Sequence, residues 1–200
     1  MKKSRQRILI VLLIAVLLPQ VNAGQNSYRD RELQPEKIMD TIGIKPGLII
    51  GEGGAGSGYF TFKLANRIGP TGKIYANDIS TRALSSIRSR CKKEGINNIE
   101  TIMGEVENPL FPQGLDMIFM VAAFHDFEKP VKWLENAKTS MKPEATLVIV
   151  EKDPERYAQD SGHHMTKNEI LDTVKKANFE LVQVETFLDN DNIYIFRLKK

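Results

Sequence analysis

The stretch Leu48-Ile49-Ile50-Gly51-Glu52-Gly53-Gly54-Ala55-Gly56-Ser57-Gly58-Tyr59 decides the fold. A short apolar run meets an acidic residue. Glycines then stand at every second position, Gly54, Gly56 and Gly58, before a helix can begin. A buried strand turns sharply into a helix in this way while its backbone comes close to a ligand. A Cβ would block that approach or forbid the positive φ of the turn. Twenty residues beyond Gly58, after the strand-like run Lys73-Ile74-Tyr75-Ala76-Asn77, stands Asp78. A carboxylate there accepts hydrogen bonds from the two hydroxyls of a ribose. The pattern points to a nucleoside-containing cofactor.

Outward from this loop, strands and helices alternate. Leu33, Ile38, Met39 and Ile42 form an amphipathic pattern that starts near Pro35, a suitable first-turn residue. The first strand is Leu48 to Gly51, and a helix follows from about Ser57 to Ile68. After the turn Gly69-Pro70-Thr71-Gly72 comes the second strand, Lys73 to Asn77. A helix over Thr81–Glu94 is capped by Gly95. Strands are expected at Ile99–Met103, Met117–Val121 and Thr146–Val150, with a helix from Val131 to Met141. The Met117–Val121 run is apolar throughout, as suits a strand buried on both faces. Thr166-Lys167-Asn168-Glu169 is a capping box that opens the last helix. Leu181–Leu188, the turn Asp189-Asn190-Asp191-Asn192 and Ile193–Leu198 form a closing β-hairpin. The expected fold is α/β: a Rossmann-like, doubly wound sheet, mostly parallel, with an antiparallel C-terminal hairpin strand.

The composition is that of a globular domain, with 42% hydrophobic and 26% charged residues in a chain of 200. The N-terminus differs. Lys2, Lys3, Arg5 and Arg7 precede the 11-residue apolar run Ile8–Leu18, and Val21-Asn22-Ala23 follows. Residues 1–23 read as a signal peptide, because a membrane span needs about 20 apolar residues. A short, uncleaved N-terminal anchor is the alternative. Either places the domain outside the cytoplasm, exported to a periplasm or the medium, with membrane contact only through the leader. Residues 24–34 read as a flexible linker and 35–200 as the domain. Without the four basic leader residues, the formal charge of +3 becomes −1, so no nucleic-acid partner is expected. Cys91 stands alone, which excludes an intrachain disulfide and a Cys-based metal cluster.

Two readings of the glycine loop differ in cofactor. Gly51-x-Gly53-x-x-Gly56 satisfies the dinucleotide fingerprint and leaves an exported NAD-dependent oxidoreductase open. Glu52-x-Gly54-x-Gly56-x-Gly58 resembles the first motif of class I S-adenosylmethionine-dependent methyltransferases. The resemblance covers about residues 35–197. Gly69–Asp78 is similar to the second motif of that family, and Met103-Gly104-Glu105-Val106 resembles its Gly-Asp-Ala. The closing hairpin distinguishes this family from all-parallel dinucleotide folds. The resemblance implies that Glu52, Gly54, Gly56, Gly58 and Asp78 hold S-adenosylmethionine. It also implies that Ile79 packs on the adenine and that Glu105 meets its amino group. The reaction it implies is methyl transfer to a small-molecule acceptor. A non-catalytic cofactor-binding protein is the further alternative.

Chemistry at the acceptor side falls to a few residues. His125 follows the fourth strand at the carboxyl edge of the sheet, where ligands bind, and is the candidate general base. Asp126 is placed to orient it. His163 and His164 precede the last helix and are candidate substrate contacts. The three histidines have no metal-ligand spacing, so no metal is expected.

Overall fold

The computed structural model describes residues 23–157 and 162–200. The expected leader therefore lies outside the described residues, apart from Ala23. Two helices come first, α1 (Ala23–Leu33) and α2 (Pro35–Thr41). Then follow β1 (Ile49–Gly53), α3 (Tyr59–Ile68), β2 (Lys73–Asp78), α4 (Thr81–Glu94), β3 (Ile99–Met103) and β4 (Leu115–Val121). The chain closes with α5 (Pro130–Ala137), β5 (Met141–Lys152), α6 (Lys167–Lys176), β6 (Phe179–Glu185) and β7 (Asp191–Leu198).

One seven-stranded sheet runs in the order β3-β2-β1-β4-β5-β7-β6. The strands β1 to β5 pair in parallel, and β7 enters antiparallel between β5 and β6. This is the mixed, doubly wound sheet expected from the sequence. Alternation along the central strands builds two cores, because successive side chains leave a strand on opposite faces. Met117 and Phe119 of β4, with Val148 and Val150 of β5, join the core under α2, α3 and α4. Ile118 and Met120, with Leu147 and Ile149, join the other core under α5 and α6. All eight are buried, so these strands read as continuous apolar runs.

Two helix boundaries are corrected below. Residues 24–33, read from the sequence as a linker, lie in α1. The helix is polar, and tertiary contacts hold it. Asp30 accepts a hydrogen bond from the Tyr59 hydroxyl (2.5 Å) and pairs with Lys63 (2.9 Å), and Leu33 is buried. These contacts hold the Asp30 carboxyl below its ordinary pKa, the Tyr59 hydrogen bond foremost. The helix expected to reach Met141 instead ends at Ala137, followed by a 3-10 turn over Lys138–Ser140. Met141 already pairs with Leu115, and β5 accommodates Pro143 where the register shifts between Leu115 and Met117. The helix expected from Ser57 starts at Tyr59 behind Gly58, whose φ is 93°.

The capping box at the start of α6 is present in full, with the Thr166 side chain accepting from the Glu169 amide and the Glu169 side chain accepting from the Thr166 amide.

Candidate functional site

The loops that follow β1, β2, β3 and β4 converge at the carboxyl edge of the sheet, beside the point where the chain leaves β3 for β4 on the far side of β1. Ligands bind open α/β sheets at such a switch point. A cavity of about 320 Å³ opens there, lined by Gly54, Asn77, Asp78, Ile79, Glu105 and Val106 on one side. Ala122, Ala123, Asp126, Phe127, Glu128 and Trp133 complete its wall. Ile79 is 64% exposed and Val106 39%, so two large apolar side chains meet solvent at this one place.

The glycines divide by role. Gly56 has φ +55°, and a Cβ there would meet nothing within 4 Å. Its N–H donates to Asp78 Oδ2 at 2.8 Å, while the Ser80 N–H donates to Oδ1 at 2.8 Å. Asp78 thereby ties the loop after β1 to the start of α4, and each oxygen keeps a further lone pair for a ligand. Gly54, with φ +67°, lines the cavity, and its Cβ would stand 2.5 Å from that of Ala123. Gly58 is a packing residue, since a Cβ there would fall 2.6 Å from Phe62 and 3.1 Å from Ile87. Glu52 lies inside the fold and not on the cavity wall. It is 4% exposed and accepts a 2.5 Å hydrogen bond from the Thr61 hydroxyl. Burial pushes its carboxyl up to about 8, with the nearby Asp78 charge acting in the same direction.

Across the cavity, a 3-10 turn over Phe124–Asp126 carries His125. Its Nδ1 stands 2.7 Å from Glu151 Oε2, and the two side chains are 6% and 1% exposed. The other oxygen of Glu151 accepts the backbone N–H groups of Ala123 at 2.9 Å and Phe124 at 2.7 Å. One carboxylate therefore caps the turn and orients the imidazole upon it. A carboxylate at this distance favours the proton on Nδ1, and Nε2 lies on the side of Asp126. Asp126, expected to orient His125, sits instead on the outer side, 3.6 Å from Nε2.

Tertiary structure brings all three histidines together. The ring of His125 lies 4.9 Å from that of His163 and 4.8 Å from that of His164, and His163 Nε2 is 3.4 Å from Asp126 Oδ1. The sequence reading missed Glu151. A signal for it existed: the apolar run Thr146–Val150 ends in an acidic residue, just as the first strand ends in Glu52.

A family model described as "Methyltransferase domain" matches residues 44–194, and the chain belongs to that family. Among curated proteins it is 27% identical over 126 residues to the demethylmenaquinone methyltransferase of Lactococcus lactis subsp. lactis (strain IL1403). That match covers 62% of this chain and 50% of the relative. It is 25% identical over 127 residues to a ubiquinone/menaquinone biosynthesis C-methyltransferase of Hydrogenovibrio crunogenus, again covering 62% and 50%. The chain thus spans about half the length of the curated relatives it matches. Among solved structures, an S-adenosylmethionine-dependent methyltransferase from Aquifex aeolicus superposes with a TM-score of 0.79 at 24% identity. That superposition covers 88% of this chain and 98% of the other, and it shows a shared fold.

S-adenosylmethionine is the cofactor of this class of domain, and the cavity fits it. The volume is within the range of small-molecule sites, about 300–1,000 Å³. The open face of Gly56 leaves room for a ligand against the backbone, Asp78 offers a carboxylate edge to a ribose, and exposed Ile79 offers an apolar face to a base.

Proposed function

We propose that this chain is an enzyme that transfers a methyl group from S-adenosylmethionine to a small-molecule acceptor. The observation that carries this reading is a cavity with two chemically different walls. One wall has the Gly54 backbone, Asp78, Ile79 and Glu105. The other has Asp126, Phe127 and Trp133, with His125 on the turn that carries Asp126 and bonded to Glu151 of β5.

When bound, S-adenosylmethionine supplies a methyl group on a positively charged sulfur, so the leaving group needs no further activation. Asp78 holds the ribose hydroxyls, Ile79 covers one face of the adenine, and Glu105 at the cavity rim meets its amino group. Gly56 keeps the approach open. Glu52 supports the loop from within and does not touch the cofactor. The apolar side chains of Phe127 and Trp133 keep water from the acceptor side, where positioning and desolvation supply much of the acceleration. His125 presents an oriented Nε2 lone pair, which takes the proton of an acceptor hydroxyl or amine. His163 and His164 border this side and contact the acceptor. The basic, then apolar leader at residues 1–23 supports export of the domain, cleaved after Ala23 or held as an anchor.

Calorimetry of the purified full chain tests the reading. Saturable binding of S-adenosylmethionine and S-adenosylhomocysteine is expected, with none of NAD. Binding of NAD alone would return the chain to the oxidoreductase class. Label carried from radioactive S-adenosylmethionine onto a component of envelope extracts separates an enzyme from a binding protein.

A further inference from the structure

The Nε2 lone pair of His125 converges with two other metal-binding groups, and we propose that they form a site for a divalent transition cation of the Zn²⁺ class. The ligands are His125, Asp126 and His163, whose donor atoms all lie within 4.8 Å of one another. Asp126 lies near one nitrogen of each ring. Its Oδ2 is 3.6 Å from His125 Nε2 and its Oδ1 is 3.4 Å from His163 Nε2. Donors around tetrahedral zinc, at bond lengths near 2.0–2.1 Å, are separated by about 3.3 Å. Each imidazole thus already stands near one edge length from a carboxylate oxygen of Asp126, and a single Asp126 oxygen completes the set with all three donors within 4.8 Å. Closing the remaining gap needs only rotation of His163 and Asp126, which are 60% and 64% exposed.

Two features separate this cluster from a chance meeting of polar side chains. The first is Glu151, buried and bonded to Nδ1 of His125 at 2.7 Å. A ligating histidine donates its other ring N–H to a carboxylate in this manner, which sets the tautomer and raises its basicity. The second is charge. The carboxylates of Asp126 and Glu151 flank the imidazole of His125, and their negative charge favours a cation there. Two imidazoles and one carboxylate suit zinc or ferrous iron better than magnesium, which prefers oxygen donors. Three protein ligands leave a fourth position open, as catalytic sites do. Asp126 also lines the cavity, so the cation stands at the edge where the acceptor enters.

The chemical use of this cation rests on the methyl-transfer reading, but its binding does not. With the cation bound, the His125 lone pair is a ligand and no longer a base. An acceptor hydroxyl bound at the open position is acidified by the metal and loses its proton to solvent. Its oxygen then forms a bond to the methyl carbon as the carbon–sulfur bond breaks, the electron pair going to sulfur. His125 and His163 are 38 positions apart in the sequence, which is why no ligand spacing marks them there.

Zinc titration of the full chain by calorimetry, without S-adenosylmethionine, is the test, with Co²⁺ absorption as a second readout of geometry. One Zn²⁺ per chain is expected, with a tetrahedral Co²⁺ spectrum. His163→Ala and Asp126→Asn change exposed side chains and should leave circular dichroism unaltered while weakening binding at least tenfold. Glu151→Gln should weaken it about 10–100-fold. No zinc binding to the folded chain, or binding untouched by both His163→Ala and Asp126→Asn, overturns the site. Equal competition by Mg²⁺ overturns the transition-metal class. S-adenosylmethionine binding measured in parallel with a chelator present keeps the two proposals apart. If it persists while zinc fails, only the metal site is lost.

Discussion

Glu151 and His125 form one buried unit: Oε2 of the carboxylate lies 2.7 Å from Nδ1, while Oε1 receives the Ala123 and Phe124 amides. The same side chain that orients the imidazole also terminates the turn carrying it. The two functions are separable by substitution. Glu151→Gln keeps an oxygen for the amides but removes the charge facing Nδ1. It should fold, bind S-adenosylmethionine normally and lose turnover. Glu151→Ala strands two buried N–H groups, each costing about 1–3 kcal/mol. Its thermal midpoint should fall clearly below that of the Gln variant.

His125→Ala should lower turnover by about 10²–10⁴ with little change in cofactor affinity, whether Nε2 takes the acceptor's proton itself or holds the cation that acidifies the acceptor. The split follows from position, since the residues proposed to hold ribose and adenine lie on the loops after β1, β2 and β3. Equal losses in kcat and in binding would place His125 against the cofactor instead.

Asp78→Ala removes the partner of the Gly56 amide and the charged acceptor proposed for two ribose hydroxyls. Hydrogen bonds to charged groups are worth about 1.5–3 kcal/mol each before compensation. Calorimetry should show S-adenosylmethionine affinity reduced tenfold or more. Unchanged affinity in a folded variant would mean that the ribose lies elsewhere.

Gly56→Val and Gly58→Val should fail in different ways. At position 56 the new side chain enters open space in front of the loop, at a backbone strain of roughly 1–2 kcal/mol. The protein should stay folded and lose cofactor binding. At position 58 the Cβ meets Phe62 of α3 at 2.6 Å and Ile87 of α4 at 3.1 Å. That variant should lose stability first, which a denaturant titration will separate from the binding defect.

Glu52 makes stability depend on pH. Its carboxyl rises from an ordinary 4.5 to about 8 in the fold, chiefly through burial. Between those values the folded chain retains a proton that the unfolded chain releases. The contribution is therefore complete below about pH 4.5 and is lost as pH rises through about 8. Its size is on the order of 5 kcal/mol at most. Glu52→Gln should flatten the decline in denaturation midpoint between pH 5 and pH 8.5, and a slope equal to that of the parent chain would sink the assignment.

What the sequence determined by itself is local and periodic. Glycines at positions 54, 56 and 58 report a backbone that must take positive φ, a property of single residues. The capping box at Thr166 and Glu169 spans one helical turn, and the apolar runs of β4 and β5 carry their own period. From these the alternating fold and the closing antiparallel strand were legible, and with them the place of Asp78 at the carboxyl edge of the sheet. Tertiary structure alone decided the rest, because it depends on groups far apart in the chain. α1 has no apolar stripe to announce a helix, and it is held by Tyr59 and Lys63 of α3. The start of β5 at Met141 was set by its pairing with Leu115, against a local pattern that favoured helix. His125 looked like a loop histidine beside Asp126 until Glu151, 26 residues later, arrived at the end of a parallel strand. His163 joined them from the chain segment before α6. Sequence periodicity records which face of an element is buried, whereas the chemistry of this site arises where the ends of separate strands meet.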